Sequence, residues 1–75
     1  MSDEREAWQI TRKEWIEKAR KQARNYKFPG EFIINAGFNH RRLVAQAVYE
    51  GKPVSYEVVK DYPDLLEKWR EMRNE

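Results

Sequence analysis

Ile10-Thr11-Arg12-Lys13-Glu14-Trp15 carries two helix-start signals at one spot. Thr11 can accept a hydrogen bond from the amide of Glu14 while the Glu14 carboxylate reaches back to the amide of Thr11, a capping box. Ile10 and Trp15 flank this box at the spacing of a hydrophobic staple. Downstream, Trp15, Ala19, Ala23 and Tyr26 recur at steps of four, four and three, an apolar stripe of helical period. Phe28-Pro29-Gly30 is expected to end this helix, since proline drives the residue before it out of helical geometry and glycine follows.

Outward from that helix the signals are uneven. Upstream, residues 1–10 are expected to be partly flexible. Residues 31–38 fit either a short strand, with Trp8–Ile10 as its one available partner, or a single docked helical turn; an irregular or short helical segment is the expectation. Asn39 is a suitable N-cap for a second long helix and Gly51 a suitable residue just past its end. Leu43, Val44, Ala47 and Val48 would face inward on it, with His40 one turn earlier. Lys52-Pro53-Val54 reads as a stiff, extended link. Ser55 would cap a short third helix with Val58, Val59 and Tyr62 on one side, and Pro63 restarts the chain. Asp64-Leu65-Leu66-Glu67 repeats the capping-box logic, Leu65, Leu66 and Trp69 give a final apolar face, and residues 71–75 are expected to fray. The expectation is an all-α bundle of about four helices, one domain over residues 1–75.

Composition narrows the function classes. A chain of 75 residues buries only roughly 60% of the surface its unfolded form exposes, so its core is marginal. With no cysteine there are no disulfide staples, no thiol catalysis and no cysteine-ligated zinc, and one histidine cannot build a histidine metal cluster. Three Trp, four Tyr and three Phe must carry much of the stability. The acidic start Ser2-Asp3-Glu4-Arg5-Glu6 is the opposite of a cationic signal peptide, and no apolar run is long enough to span a membrane. A cytoplasmic location is expected.

The formal charge of +2 is small, but it is unevenly placed. Residues 11–28 hold seven basic and two acidic side chains, while the rest of the chain is neutral or acidic. Within that segment Lys13, Arg20, Arg24 and Lys27 form a basic stripe beside the apolar one, with Lys21 nearby and Arg41-Arg42 elsewhere. Clustered cations of this kind neutralise phosphates, which points to a DNA or RNA backbone. The plainer reading is a solvated face in which Glu14–Lys18 and Glu17–Lys21 merely support the helix.

Other chemistry is poorly supplied. His40 has no serine partner placed for nucleophilic catalysis, since Ser2 sits in the terminus and Ser55 on a cap. It is expected to be structural, packed beside or bonded to the Asp61–Asp64 turn. Asp61 and Asp64 flank a Tyr-Pro bend and read as turn and cap residues more readily than as a cation site. Gly30, Gly37 and Gly51 are too scattered for a phosphate loop. Neither a metal nor a cofactor is expected. Trp15, Trp69 and Tyr62 have core spacing, and Thr11 and Glu14 are structural as capping residues. Phe28, Phe32 and Phe38 lie in the badly patterned segment and are candidates for protein contact.

Several of these pieces occur together elsewhere. Gly51-Lys52-Pro53-Val54, Glu57-Val58-Val59 and Asp61-Tyr62-Pro63-Asp64-Leu65 follow a helix bearing His40, Val44 and Ala47. Trp8-Gln9-Ile10-Thr11-Arg12-Lys13-Glu14-Trp15 stands upstream. The set resembles a small module found in large polyvalent proteins of phages and conjugative elements, beside methylase, helicase and peptidase-like domains. Ile10 stands where that module usually has methionine and Val59 where it has leucine, and residues 23–38 lie outside the resemblance. It implies a mobile-element origin and no reaction. The combined expectation is a non-enzymatic helical module that binds nucleic acid. The alternative is a protein-interaction module or small inhibitor docking on a host enzyme or defence complex.

Overall fold

The computed structural model describes residues 5–73. A 3₁₀ turn at Ala7–Gln9 leads into four α-helices: α1 (Arg12–Ala23), α2 (Pro29–Tyr49), α3 (Tyr56–Val59) and α4 (Pro63–Arg73). The expected all-α bundle is the observed architecture, and no strand occurs among the described residues. Of the stretches expected to be loose, residues 1–10 and 71–75, residues 1–4 and 74–75 lie outside the described residues. Within the described part, the 3₁₀ turn spans Ala7–Gln9, Ala7 and Ile10 are buried, and α4 continues through Arg73.

Helix α1 starts where expected, with the Thr11 hydroxyl accepting from the Glu14 amide at 3.2 Å. The reciprocal arm of the box is absent, because the Glu14 carboxylate is taken by the Arg5 guanidinium at 2.9 Å. The helix stops at Ala23, short of Tyr26. Beyond it the amides of Asn25 and Tyr26 turn back onto Gln22 and Ala23, three residues earlier, which tightens the chain out of the α-helix. Tyr26 consequently leaves the apolar stripe and stacks on Phe32, ring centroids 4.4 Å apart.

The largest correction is α2. Residues 31–38 are neither irregular nor a separate turn, and Asn39 is not an N-cap; one helix runs through all of them. Pro29 begins it, at a first-turn position where its missing N–H costs nothing, and Phe28 before it is held out of helical geometry at φ −123°, ψ 75°. Gly37 lies mid-helix against α1, 3.6–3.7 Å from Arg12 and Ile16 as measured from where a Cβ would sit. That is ordinary contact distance, so Gly37→Ala should fit and gain helix propensity of about 0.5–1 kcal/mol in urea denaturation.

The far end of α2 closes as expected on Gly51, at φ +78°. The Lys52 amide bonds the Ala47 carbonyl at 2.9 Å and the Gly51 amide that of Val48 at 3.1 Å, a Schellman arrangement. Gly51→Ala should therefore cost about 1–2 kcal/mol, the opposite sign to Gly37→Ala. A stability gain at Gly51 would refute the left-handed assignment there.

The short connection of residues 24–28 makes α1 and α2 an antiparallel hairpin, packed through the small residues Ala19, Ala23 and Ala36. The Trp15 indole N–H spans the interface to the Ala36 carbonyl at 2.8 Å. The second half of α2 builds the main core: Val44, Ala47 and Val48 pack with Val54, Val58, Val59, Tyr62 and Leu65. Trp69 closes its edge, donating its indole N–H to the Val54 carbonyl at 2.7 Å. Ser55 occupies the N-cap of α3 with extended backbone, but its hydroxyl makes no capping bond. Asp64 is likewise no cap: α4 begins at Pro63, and Asp64 lies within the first turn, ion-paired with Arg41 of α2.

Candidate nucleic-acid interface

His40 joins the two halves of the molecule. Its side chain is fully buried, one helical turn before Val44, and both ring nitrogens are engaged. Nε2 lies 3.0 Å from each of the Ala7 and Ile10 carbonyl oxygens, which can only accept, so Nε2 carries the proton. Nδ1 must then accept, and the Tyr62 hydroxyl donates to it at 2.6 Å. The Asp61–Asp64 turn thus bonds His40 through the Tyr62 hydroxyl. Burial holds the imidazole pKa below its ordinary value, with the Arg12 charge acting in the same direction and the two carbonyls and Asp61 opposing it. Burial likewise pushes the Tyr62 phenol up to about 12, so it remains a donor. With both nitrogens bonded and no exposed surface, this histidine offers no base to an incoming substrate.

The cations of α1 face the other way. Lys13, Arg20 and Lys21 are exposed on the helix, Arg24 is exposed at its C-cap, and none of the four has an ion-pair partner among the described residues. The Glu14 carboxylate is engaged by Arg5, and no ion pair joins Glu17 to Lys21. Arg20 and Lys21 also lie in the last turn, where they complement the negative end of the helix dipole. Lys27 falls outside the stripe: the helix has ended, and its ammonium sits 5.8 Å from the Phe28 ring centroid. The stripe is therefore three residues long, Lys13, Arg20 and Arg24, with Lys21 beside it.

Arg41 and Arg42 separate. Arg41 is tied to Asp64, so its charge serves first to fasten α4 onto α2. It nonetheless borders the same groove as Arg12 and Arg20. Arg42, one position on, is exposed and turned away from that groove. Sequence reasoning passed over Arg12, although Arg12, Ile16 and Arg20 repeat at a step of four and so share a helix edge.

The three phenylalanines do not form one patch. Phe28 is exposed at the start of α2, and Phe32 is half-buried on the side of Trp15 and Ala19. Phe38 lies on the opposite flank, 69% exposed, one turn from Ile34 at 61%. Trp15 and Trp69 are half-buried and Tyr62 buried, each committed to packing. No helix is long and apolar enough to cross a membrane, and no group of three or more His, Asp or Glu gathers as a cation site among the described residues. Against known protein families, curated proteins and solved structures, the chain shows no match.

Proposed function

We propose that this chain is a non-enzymatic nucleic-acid-binding module of a phage or other mobile element, acting in the cytoplasm and holding the DNA or RNA backbone through the cationic face of α1. The observation that carries the reading is the row of exposed cations at Lys13, Arg20, Lys21 and Arg24 with no ion-pair partner among the described residues. Such contacts neutralise phosphates and release counterions, and they carry little sequence information. Binding should therefore be weak and sequence-tolerant, with log affinity falling against log salt at a slope of about −3 for three to four phosphates. In fluorescence anisotropy at two salt concentrations, R20E/R24E should lose binding while circular dichroism shows the fold intact. Undiminished binding by the folded double variant would remove the site.

A second reading keeps one observation of its own. Ile34 and Phe38 are large, apolar and exposed, as the anchors of a protein contact would be. On that reading the chain is an adaptor or small inhibitor that seats on a host or mobile-element protein. The separation of Phe28 and Phe32 from Phe38 weighs against it, because a protein contact needs a contiguous apolar centre.

A further inference from the structure

Between α1 and α2, on the flank away from Trp15, runs a groove of about 410 Å³. Arg12 and Arg20 of α1 and Arg41 of α2 line it, and no acidic side chain does. Its apolar part comes chiefly from Ile16, Ile33 and the exposed Ile34 and Phe38. Among the described residues the one acid bonded to a lining cation is Asp64, through an exposed pair with Arg41 that a competing anion can displace. Glu17 and Asp61 line a neighbouring depression that shares Arg12, Ile16 and Arg20 with the groove and adds Lys13, so these acids stand beside the groove and not in it.

We infer that this groove binds a single-stranded nucleic acid, its phosphates running along Arg20 and the α1 cations and one base stacked on the Phe38 ring. The inference rests on the backbone-binding reading and adds to it the strand type. Charge fixes the sign of the occupant: three arginines without a lining carboxylate select an anion. Shape fixes the rest. A duplex presents phosphates and has its bases already stacked, so it gives Phe38 nothing to do. An unpaired strand offers a flat, apolar face beside each phosphate, which matches one exposed ring beside a row of guanidinium groups. An acidic peptide helix would need apolar anchors over several turns, whereas the exposed large apolar side chains of this groove are Ile34 and Phe38, on adjacent turns, with Ile16 and Ile33 half-buried behind them.

Three labelled ligands test this at one salt concentration: a short oligothymidylate, a duplex of equal length, and an abasic strand with the same phosphates. The native chain should favour oligothymidylate over the other two by about tenfold, the effect of one stacked base. Phe38→Ala should erase that preference, so that oligothymidylate binds no better than the duplex or the abasic strand, whereas Phe38→Trp should retain it. Because the ring is largely exposed, neither variant should disturb folding. Equal binding of all three ligands by the native chain, or a preference that survives Phe38→Ala, would overturn the strand-type inference and leave backbone binding standing. Failure of all three ligands to bind would overturn both, and binding of an acidic amphipathic peptide in their place would assign the groove to a protein.

Discussion

Replacing His40 with alanine should cost about 3–5 kcal/mol, because it opens a cavity and strips three buried polar groups of their partner at once. The Tyr62 hydroxyl and the Ala7 and Ile10 carbonyls all converge on this ring. A domain of this length holds roughly 4–11 kcal/mol in total, so the variant should be largely unfolded on mild warming. Tyr62→Phe removes one bond and should cost about 1–2 kcal/mol. Combined in a double-mutant cycle, the two changes should be non-additive by at least about 0.5 kcal/mol. Additive losses in urea denaturation would mean the pair is not coupled.

The same residue sets an acid dependence. The imidazole pKa is lowered in the folded state, so the unfolded chain binds the proton first as pH falls. Stability from this group is complete above the ordinary value of 6.5 and declines as pH drops below it toward the lowered folded value. Between pH 7.5 and 5.0 the urea midpoint should fall. His40→Phe, which cannot titrate, should be less stable at neutral pH but flat across that window. A native midpoint that is constant or rises toward pH 5 would contradict the burial of a neutral ring.

How much of this was legible follows from what each signal measures. Caps act locally, and Thr11 and Gly51 were readable because their bonds span three to five residues. The continuity of α2 was readable in principle: Phe32, Ala36, His40, Val44 and Val48 recur every four residues. It was hidden by the run Phe32-Ile33-Ile34, which resembles a strand, and by Asn35, Gly37 and Asn39, which resemble breakers. Tertiary contact decided the matter, since Gly37 is small where α1 approaches and needs no left-handed backbone. Pairings over long separations were not legible. Nothing in sequence links Arg41 to Asp64, or Glu14 to Arg5 rather than to Thr11. The basic face was visible as charge but not in extent, because where α1 ends decides whether Lys27 belongs to it.

Trp15→Ala should have the second large effect, and it ties the fold to the proposed interface. The buried residues of α1 are Ala19 and Ala23, two side chains too small to hold a helix by area. Trp15, with half-buried Ile16 beside it, provides the bulk, and its indole N–H provides a bond to α2. A helix of 12 residues is marginal in water by itself, so α1 persists because it is docked. Truncation to alanine should cost about 3 kcal/mol, near the lower end for a tryptophan because the ring is not fully enclosed. Trp15→Phe keeps most of the area and should cost about 1 kcal/mol, the worth of the lost hydrogen bond. The loss should appear first as fraying of α1, with amide exchange rising over residues 12–23 before it rises in the valine core around Val44 and Val59. Nucleic-acid binding should weaken with it, since the spacing of Lys13, Arg20 and Arg24 exists only while α1 is helical. If Trp15→Ala exchanged uniformly across the chain, α1 and the core would be one cooperative unit, and the cationic face would be as stable as the fold itself.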